Sequence, residues 1–415
     1  MSLRDIFKIK IEIDMKKHDE KFDKRHLEMS SFVSFLIGFT QAVTIYIMSS
    51  YFREAAGTEN VGVFYALSYL VVLYILLNFH QVVRKIGKSN AYYFAVIAKI
   101  IIVAVLSIIN PSFLGIFLLM LYIIAGAIEW LALDIIIESF STDAVSGRVR
   151  GAHLTILNAG FLFGPFVSTY LLDKIGFQSV FIFSLVFNCF ILIFALIAFR
   201  KINHKFSKRL GVKELLRKSL ARPNVMRVYY ISFILEFFFA LMIIYTPIYL
   251  NDLGFSWKEI GYIFTAMLVP FVILQYPVGF LADKKLGEKE LLIFSVIIMG
   301  ISTIAVYFIE SKTVAVWAIA LFATRIGAAM IEILRDSYFY KRIDGRDVDM
   351  IDFFRTAMPT AYIAATILSS ILLFIMPSIK LAFILTGVIV LSALYPAIKL
   401  ADNKCEAEIS CAEKI

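Results

Sequence analysis

Polar sequence long enough to build a soluble domain is missing from this chain, and that absence shapes every later reading. Hydrophobic residues make up 60% of its 415 positions and charged ones only 18%. A helix that crosses a bilayer takes roughly 20 apolar residues, so twelve take about 240, nearly the whole hydrophobic complement. No room is left for a nucleotide-driven motor domain, and no Gly-rich phosphate loop occurs. Cysteine is scarce: Cys189, Cys405 and Cys411 show neither metal-ligand spacing nor a disulfide framework. The five histidines (His18, His26, His80, His153 and His204) stand near loops or the tail, away from any nucleophile partner. An enzyme, a cofactor and a bound metal are therefore not expected. Residues 1–28 lack an apolar core of the kind a cleaved signal peptide needs. Their alternation of Lys8, Ile9, Lys10, Ile11, Glu12 and Ile13 reads as an amphipathic tail near the headgroups.

What is present is apolar length, repeated. Helices are expected at about 29–52, 60–82, 91–109, 112–138, 151–172, 176–199, 228–250, 257–282, 288–309, 313–340, 350–373 and 376–399. Basic residues gather in the first 28 positions, in the central connection, and in the even-numbered loops, through Arg84, Lys85, Lys88, Arg148, Arg150, Lys284, Lys285, Lys289, Lys341, Arg342 and Arg346. The odd-numbered loops hold only Arg53, Lys174, Lys258, Lys312 and Lys380. The positive-inside rule then puts both termini in the cytoplasm of a protein integral to the plasma (inner) membrane. The net charge of +9 belongs to loops facing anionic headgroups, so nucleic acid is not an expected partner. The expected division is a tail (1–28), a six-helix bundle (29–199), a basic linker (200–227), a second six-helix bundle (228–399) and a closing tail (400–415). Gly126 and Glu129, followed by Asp134 and Glu138, resemble Gly327 and Glu332, followed by Arg335 and Asp336, in the matching helix of the second half.

Near the end of the eighth helix, Gln275, Pro277, Gly279, Asp283, Lys284, Lys285, Gly287 and Lys289 resemble the loop signature of the major facilitator superfamily, with one extra residue before Gly287. The copy after the second helix keeps Arg84, Lys85, Gly87 and Lys88 but lacks the first glycine and the acid. In the fifth helix Gly151, Gly160, Gly164 and Pro165 stand at spacings similar to the helix-5 motif of drug-type proton antiporters in that superfamily. Ser168 and Thr169 replace its closing glycines, and Tyr122 stands near where an arginine is common in the fourth helix. Small residues and a Gly-Pro pair also serve close packing and bending of membrane helices.

The resemblance implies an all-α polytopic membrane protein of twelve transmembrane helices in two six-helix bundles that rock about a central site. A small-molecule substrate, protons as coupling ion and a monomer in the lipid bilayer go with it. Proton-coupled efflux of small amphipathic or cationic compounds by alternating access is the leading expectation. A proton-coupled importer of a metabolite such as a sugar or organic anion is the alternative, and a transporter-like receptor or scaffold comes third. Helices 1, 4, 7 and 10 line the cavity in the family.

Ionisable groups inside apolar helices are costly and mark function or pairing; here they are Lys99, Glu129, Glu236 and Arg325. Glu236 and Glu129 are the expected proton-coupling carboxyls, since burial disfavours the charged form. The competing reading is a carboxylate tied permanently to Arg325. Arg325 either holds an anionic substrate group or neutralises one of those acids. Gln41, Asn158, Gln275, Tyr46 and Phe237 complete the expected substrate contacts, the polar ones alternatively bonding a neighbouring helix. Lys99 either snorkels, pairs inward or marks a misplaced helix edge. Glu332, Arg335 and Asp336 are expected as a cytoplasmic gate cluster. By family logic Asp283 approaches Arg148, Arg150 and Gly151, while Arg84 and Lys85 face Asp352 in a charge-swapped latch.

Overall fold

The computed structural model describes residues 24–138, 146–199, 212–343, 348–375 and 378–401. Twelve helices within them are long and apolar enough to cross a membrane: α1 (Ser31–Ala56), α2 (Gly62–Phe79), α3 (Lys88–Leu106), α4 (Phe113–Leu133), α5 (Thr155–Lys174), α6 (Phe177–Ala198), α7 (Pro223–Asp252), α8 (Trp257–Leu281), α9 (Glu288–Val306), α10 (Val314–Arg342), α11 (Phe353–Ile375) and α12 (Ile379–Lys399). They form the two six-helix bundles expected. Between α6 and α7 a short helix, Val212–Leu220, buries Leu215 and Ser219, and the Ser219 hydroxyl meets the Met350 sulfur. An even number of crossings brings both described ends to one face, called here the terminal face.

Backbone glycines set the closest approaches. A Cβ on Gly160 would collide with the Phe35 carbonyl, and one on Gly164 with Ala42, so α5 lies backbone to backbone on α1. Pro165 interrupts the ladder of α5, and the hydroxyls of Ser168 and Thr169 donate to its carbonyl at 3.1 and 2.7 Å. Gly160 and Gly164 are thus engaged in the close packing of α5 on α1.

The loop signature takes the same course in both halves. Gly87 and Gly287 both adopt positive φ, 86° and 71°, a region open to glycine at little cost. The Gly87 N–H bonds to the Val83 carbonyl four residues back, whereas that of Gly287 reaches Ala282, five back, through a π-helical turn over Ala282–Leu286. The extra residue in the second copy is absorbed as this one wide turn.

The halves meet through α1 with α7, α2 with α11 and α5 with α8. Away from the terminal face they share one apolar core, in which Tyr65 and Tyr69 pack with Tyr245, Ala361, Tyr362 and Ala365. Arg53 pairs there with Asp252 at 2.6 Å, and the Ser370 hydroxyl donates to Asn60 at 2.7 Å. Toward the terminal face the first half keeps a core of its own around Val33, Phe79, Ala132 and Ile191.

Candidate functional site

Between the halves lies a cavity of about 400 Å³, in the range of small-molecule sites. Residues from α1, α4, α7 and α10 line it, as do residues of α2, α3, α5, α8 and α11. Its floor is aromatic: Tyr69 and Tyr362 pack with ring centroids 4.2 Å apart where α2 meets α11, and Tyr46 rests on Phe264 at 5.1 Å. Charge is concentrated above this floor. Four acids (Glu129, Glu236, Glu332 and Asp336) and four bases (Lys99, Arg325, Arg335 and Arg355) are found among the described lining residues.

Most of these charges are already matched. Lys99 reaches inward from α3 and bonds Glu129 at 2.6 Å, with both side chains almost fully buried, and Tyr92 donates to the same carboxylate at 3.4 Å. Of the three readings open for Lys99, inward pairing is the one realised. Glu236 pairs with Arg335 at 2.9 Å, and Arg335 also bonds the Ser232 hydroxyl at 2.6 Å and lies 3.5 Å from Asp336. The tie to Arg325 is not formed. Of Arg325 and Arg335 on α10, Glu236 pairs with the one nearer the terminal face.

Arg325 stands apart. It is 1% exposed, and its guanidinium lies 4.7 Å from the Phe238 ring and 6.0 Å from Phe239. Its Nη1 is buried without a hydrogen-bond partner, and among the described residues no carboxylate pairs with it. The phenols of Tyr46 and Tyr362 are near enough to act on it electrostatically.

Glu332, two turns along the same helix, receives a 2.7 Å hydrogen bond from Gln275, whose carbonyl accepts from Asn158 at 3.4 Å. Gln275 thus stands behind the wall, linking α5 to α10, and is not a lining residue. Among the described residues no cation lies within ion-pair distance of Glu332. Gln41 lines the cavity and accepts from the Trp130 indole at 2.6 Å.

One expectation needs correction. Phe237 does not face the cavity; it is buried in the apolar core beside Phe233, at 6.4 Å. Consecutive residues of a helix point about 100° apart, so with Glu236 turned inward, Phe239 returns to the wall and Phe237 does not. Arg335 and Asp336, expected as members of a gate cluster, lie 3.5 Å apart, and Arg335 pairs with Glu236, both contacts within the second half. Glu332, through Gln275 and Asn158, is chained to the other half.

Of the loop residues, Arg84, Lys85 and Lys284 are exposed, the last 4.7 Å above the Phe280 ring. A Cβ on Gly279 would make only ordinary contact, with Ile333. The side chains of Asp283, Arg148, Arg150 and Asp352, and the surroundings of Gly151, lie outside the described residues, so neither expected latch can be drawn.

Two six-helix halves around a charged, aromatic cavity sealed toward one face have the build of a membrane transporter. The chain matches the family described as Major Facilitator Superfamily over residues 31–331 and, overlapping, 250–403. It belongs to that superfamily and is accordingly a secondary transporter. No individual curated protein matches it, so its subgroup must be argued from its own residues.

Proposed function

We propose that the chain is a proton-coupled secondary transporter that works by alternating access, with both termini in the cytoplasm of the plasma (inner) membrane. The observation that supports this is the asymmetry of the interface: a shared core and two polar contacts on the face away from the termini, while toward the terminal face the first half packs around a core of its own. In this reading the structure is the inward-facing state. Glu129 and Glu236 are each paired with a buried cation, which leaves Glu332, hydrogen-bonded by the neutral amide of Gln275 and without an ion pair among the described residues, as the carboxyl to which the proton is assigned. The preference for cationic efflux substrates loses its support on the same ground, and Gly160 and Gly164, engaged in packing, add nothing to an antiport argument.

Gly126 provides the test. It lines the cavity, and a Cβ there would meet nothing within 4 Å. In the background Cys189→Ser, Cys405→Ser and Cys411→Ser, Gly126→Cys should react with a membrane-impermeant thiol reagent added to either face of sealed vesicles. A disulfide between Asn60→Cys and Ser370→Cys should abolish reaction from the face away from the termini and spare it from the other. Labelling confined to one face without the cross-link would contradict alternating access.

A further inference from the structure

We infer that the cavity binds a small organic monoanion, its acidic head on Arg325 and its apolar body against the surrounding aromatic rings, and that one proton enters with it on Glu332. This rests on the transporter reading and adds the substrate class and the stoichiometry.

The argument starts from the arginine. A guanidinium presents five N–H donors and stays charged when buried. At Arg325 no described residue fills any of them with an acceptor, and Phe238 covers only a ring-sized face of the group. A buried cation left in this condition is costly unless something completes it. An anion in the cavity does so, forming charge-assisted hydrogen bonds. Tyr46 and Tyr362 line the cavity close by, and their hydroxyls can donate to the same head group. Lys99 and Arg335 are committed to carboxylates and Arg355 is engaged as well, so a single positive charge is on offer. One charge suits a monoanion; a dianion would remain half compensated. The neighbouring walls, with Phe161, Phe239, Phe271 and Tyr122, are apolar and flat, which suits an aromatic or branched hydrocarbon body.

Charge balance then brings in the proton. The four acids and four bases of the described lining sum to zero when ionised. A bound monoanion would leave the cavity at −1, and occluding net charge in a low-dielectric site is penalised. Protonation of Glu332 restores neutrality. The groups acting on Glu332 are Arg335 and Asp336 from its own helix, Glu236 from α7 and the neutral Gln275 from α8. Arg335 is shared between Glu236 and Asp336, so protonating Glu332 strands no cation. Protonating Glu129 would strand Lys99, and protonating Glu236 would leave Arg335 with only its longer, 3.5 Å contact to Asp336. Arg325 and Glu332 are seven residues apart, about 10 Å along α10, so anion and proton occupy separate ends of one cavity.

The test is titration calorimetry on the full chain in detergent with benzoate, hexanoate and benzenesulfonate, using benzamide and benzylamine as neutral and cationic controls, in buffers of differing ionisation enthalpy. We expect at least one of the three anions to bind saturably, the controls to fail, and uptake of about one proton per anion near neutral pH. Arg325→Gln should weaken binding about ten- to hundredfold, the range for a lost hydrogen bond to a charged group, and Arg325→Lys less. Glu332→Gln should keep anion binding but lose the proton uptake. Failure of all three anions, preference for benzylamine, or affinity unchanged in a folded Arg325→Gln or Arg325→Lys protein would overturn the site. Proton uptake that is absent in the parent protein, or persists in Glu332→Gln, would overturn the coupling. Anion binding together with one-sided labelling of Gly126→Cys would keep the site and sink the transporter reading, and two-sided labelling without anion binding would do the reverse.

Discussion

Two buried cations in one cavity show how differently the same kind of residue can be employed. Lys99 is saturated: a carboxylate lies 2.6 Å away and the Tyr122 ring is 5.1 Å from its Nζ. Removing one member of such a pair leaves the other buried and uncompensated, at a cost of about 3–5 kcal/mol, while removing both spares most of that. Glu129→Gln and Lys99→Met should each destabilise the protein by about that much, and the double variant should be more stable than either single one, read by SDS-induced unfolding in mixed micelles. Losses that simply add would mean the two side chains do not depend on each other. Arg325, by contrast, has no partner to strand. Arg325→Gln should leave stability unchanged or raised in the same assay, which separates a residue kept for binding from one kept for structure.

At the scale of helices and turns, the single-residue difference between the two loop copies makes a test of how the halves correspond. Gly87 and Gly287 end their helices in the same backbone region, and the extra residue of the second copy is taken up by one π-helical turn. Deleting Lys285 should convert that turn to an ordinary α-helical one and preserve the Gly287 terminus. The variant is expected to elute as a monodisperse folded protein with a stability loss of about 1 kcal/mol or less, the scale of a local backbone adjustment; loss of folded protein would show that the wide turn is required. The loop motif was legible because it is local, and the helices because each is a long apolar run: the tenth, expected at about 313–340, spans Val314–Arg342. Pairing was not legible. Glu236 could meet Arg325 or Arg335, ten positions apart on one partner helix, and only the crossing of α7 and α10 decides. Rotation about a helix axis was equally hidden, since a helix apolar on every side carries no periodic mark of its inner face. That is why Phe237 was expected on the wall where Phe239 stands.

For the whole molecule, the consequence of a shared core on one face is that the state can be shifted without disturbing either bundle. Two glycines lie at that seam. A Cβ on Gly62 of α2 would come within 2.8 Å of the Tyr245 hydroxyl and 3.1 Å of the Ser370 oxygen, and one on Gly261 of α8 would collide with the Thr169 hydroxyl of α5. Both contacts join opposite halves, so a larger side chain at either position acts as a wedge between bundles. The partly exposed Arg53–Asp252 pair opposes such a wedge only weakly, since surface ion pairs contribute about 0–1 kcal/mol. Overpacking costs about 1–3 kcal/mol, and if that cost falls on the closed seam alone it shifts the population between states by roughly five- to hundredfold. Gly62→Val and Gly261→Val should each speed thiol labelling of Gly126→Cys from the face away from the termini, slow it from the terminal face, and leave the unfolding of the protein in mixed micelles nearly unchanged. Gly160→Val, whose clash lies between α1 and α5 of the same bundle, should instead lower stability and show no preference between faces. If the seam variants behaved like Gly160→Val, the interface would be a fixed joint rather than the moving surface that alternating access requires.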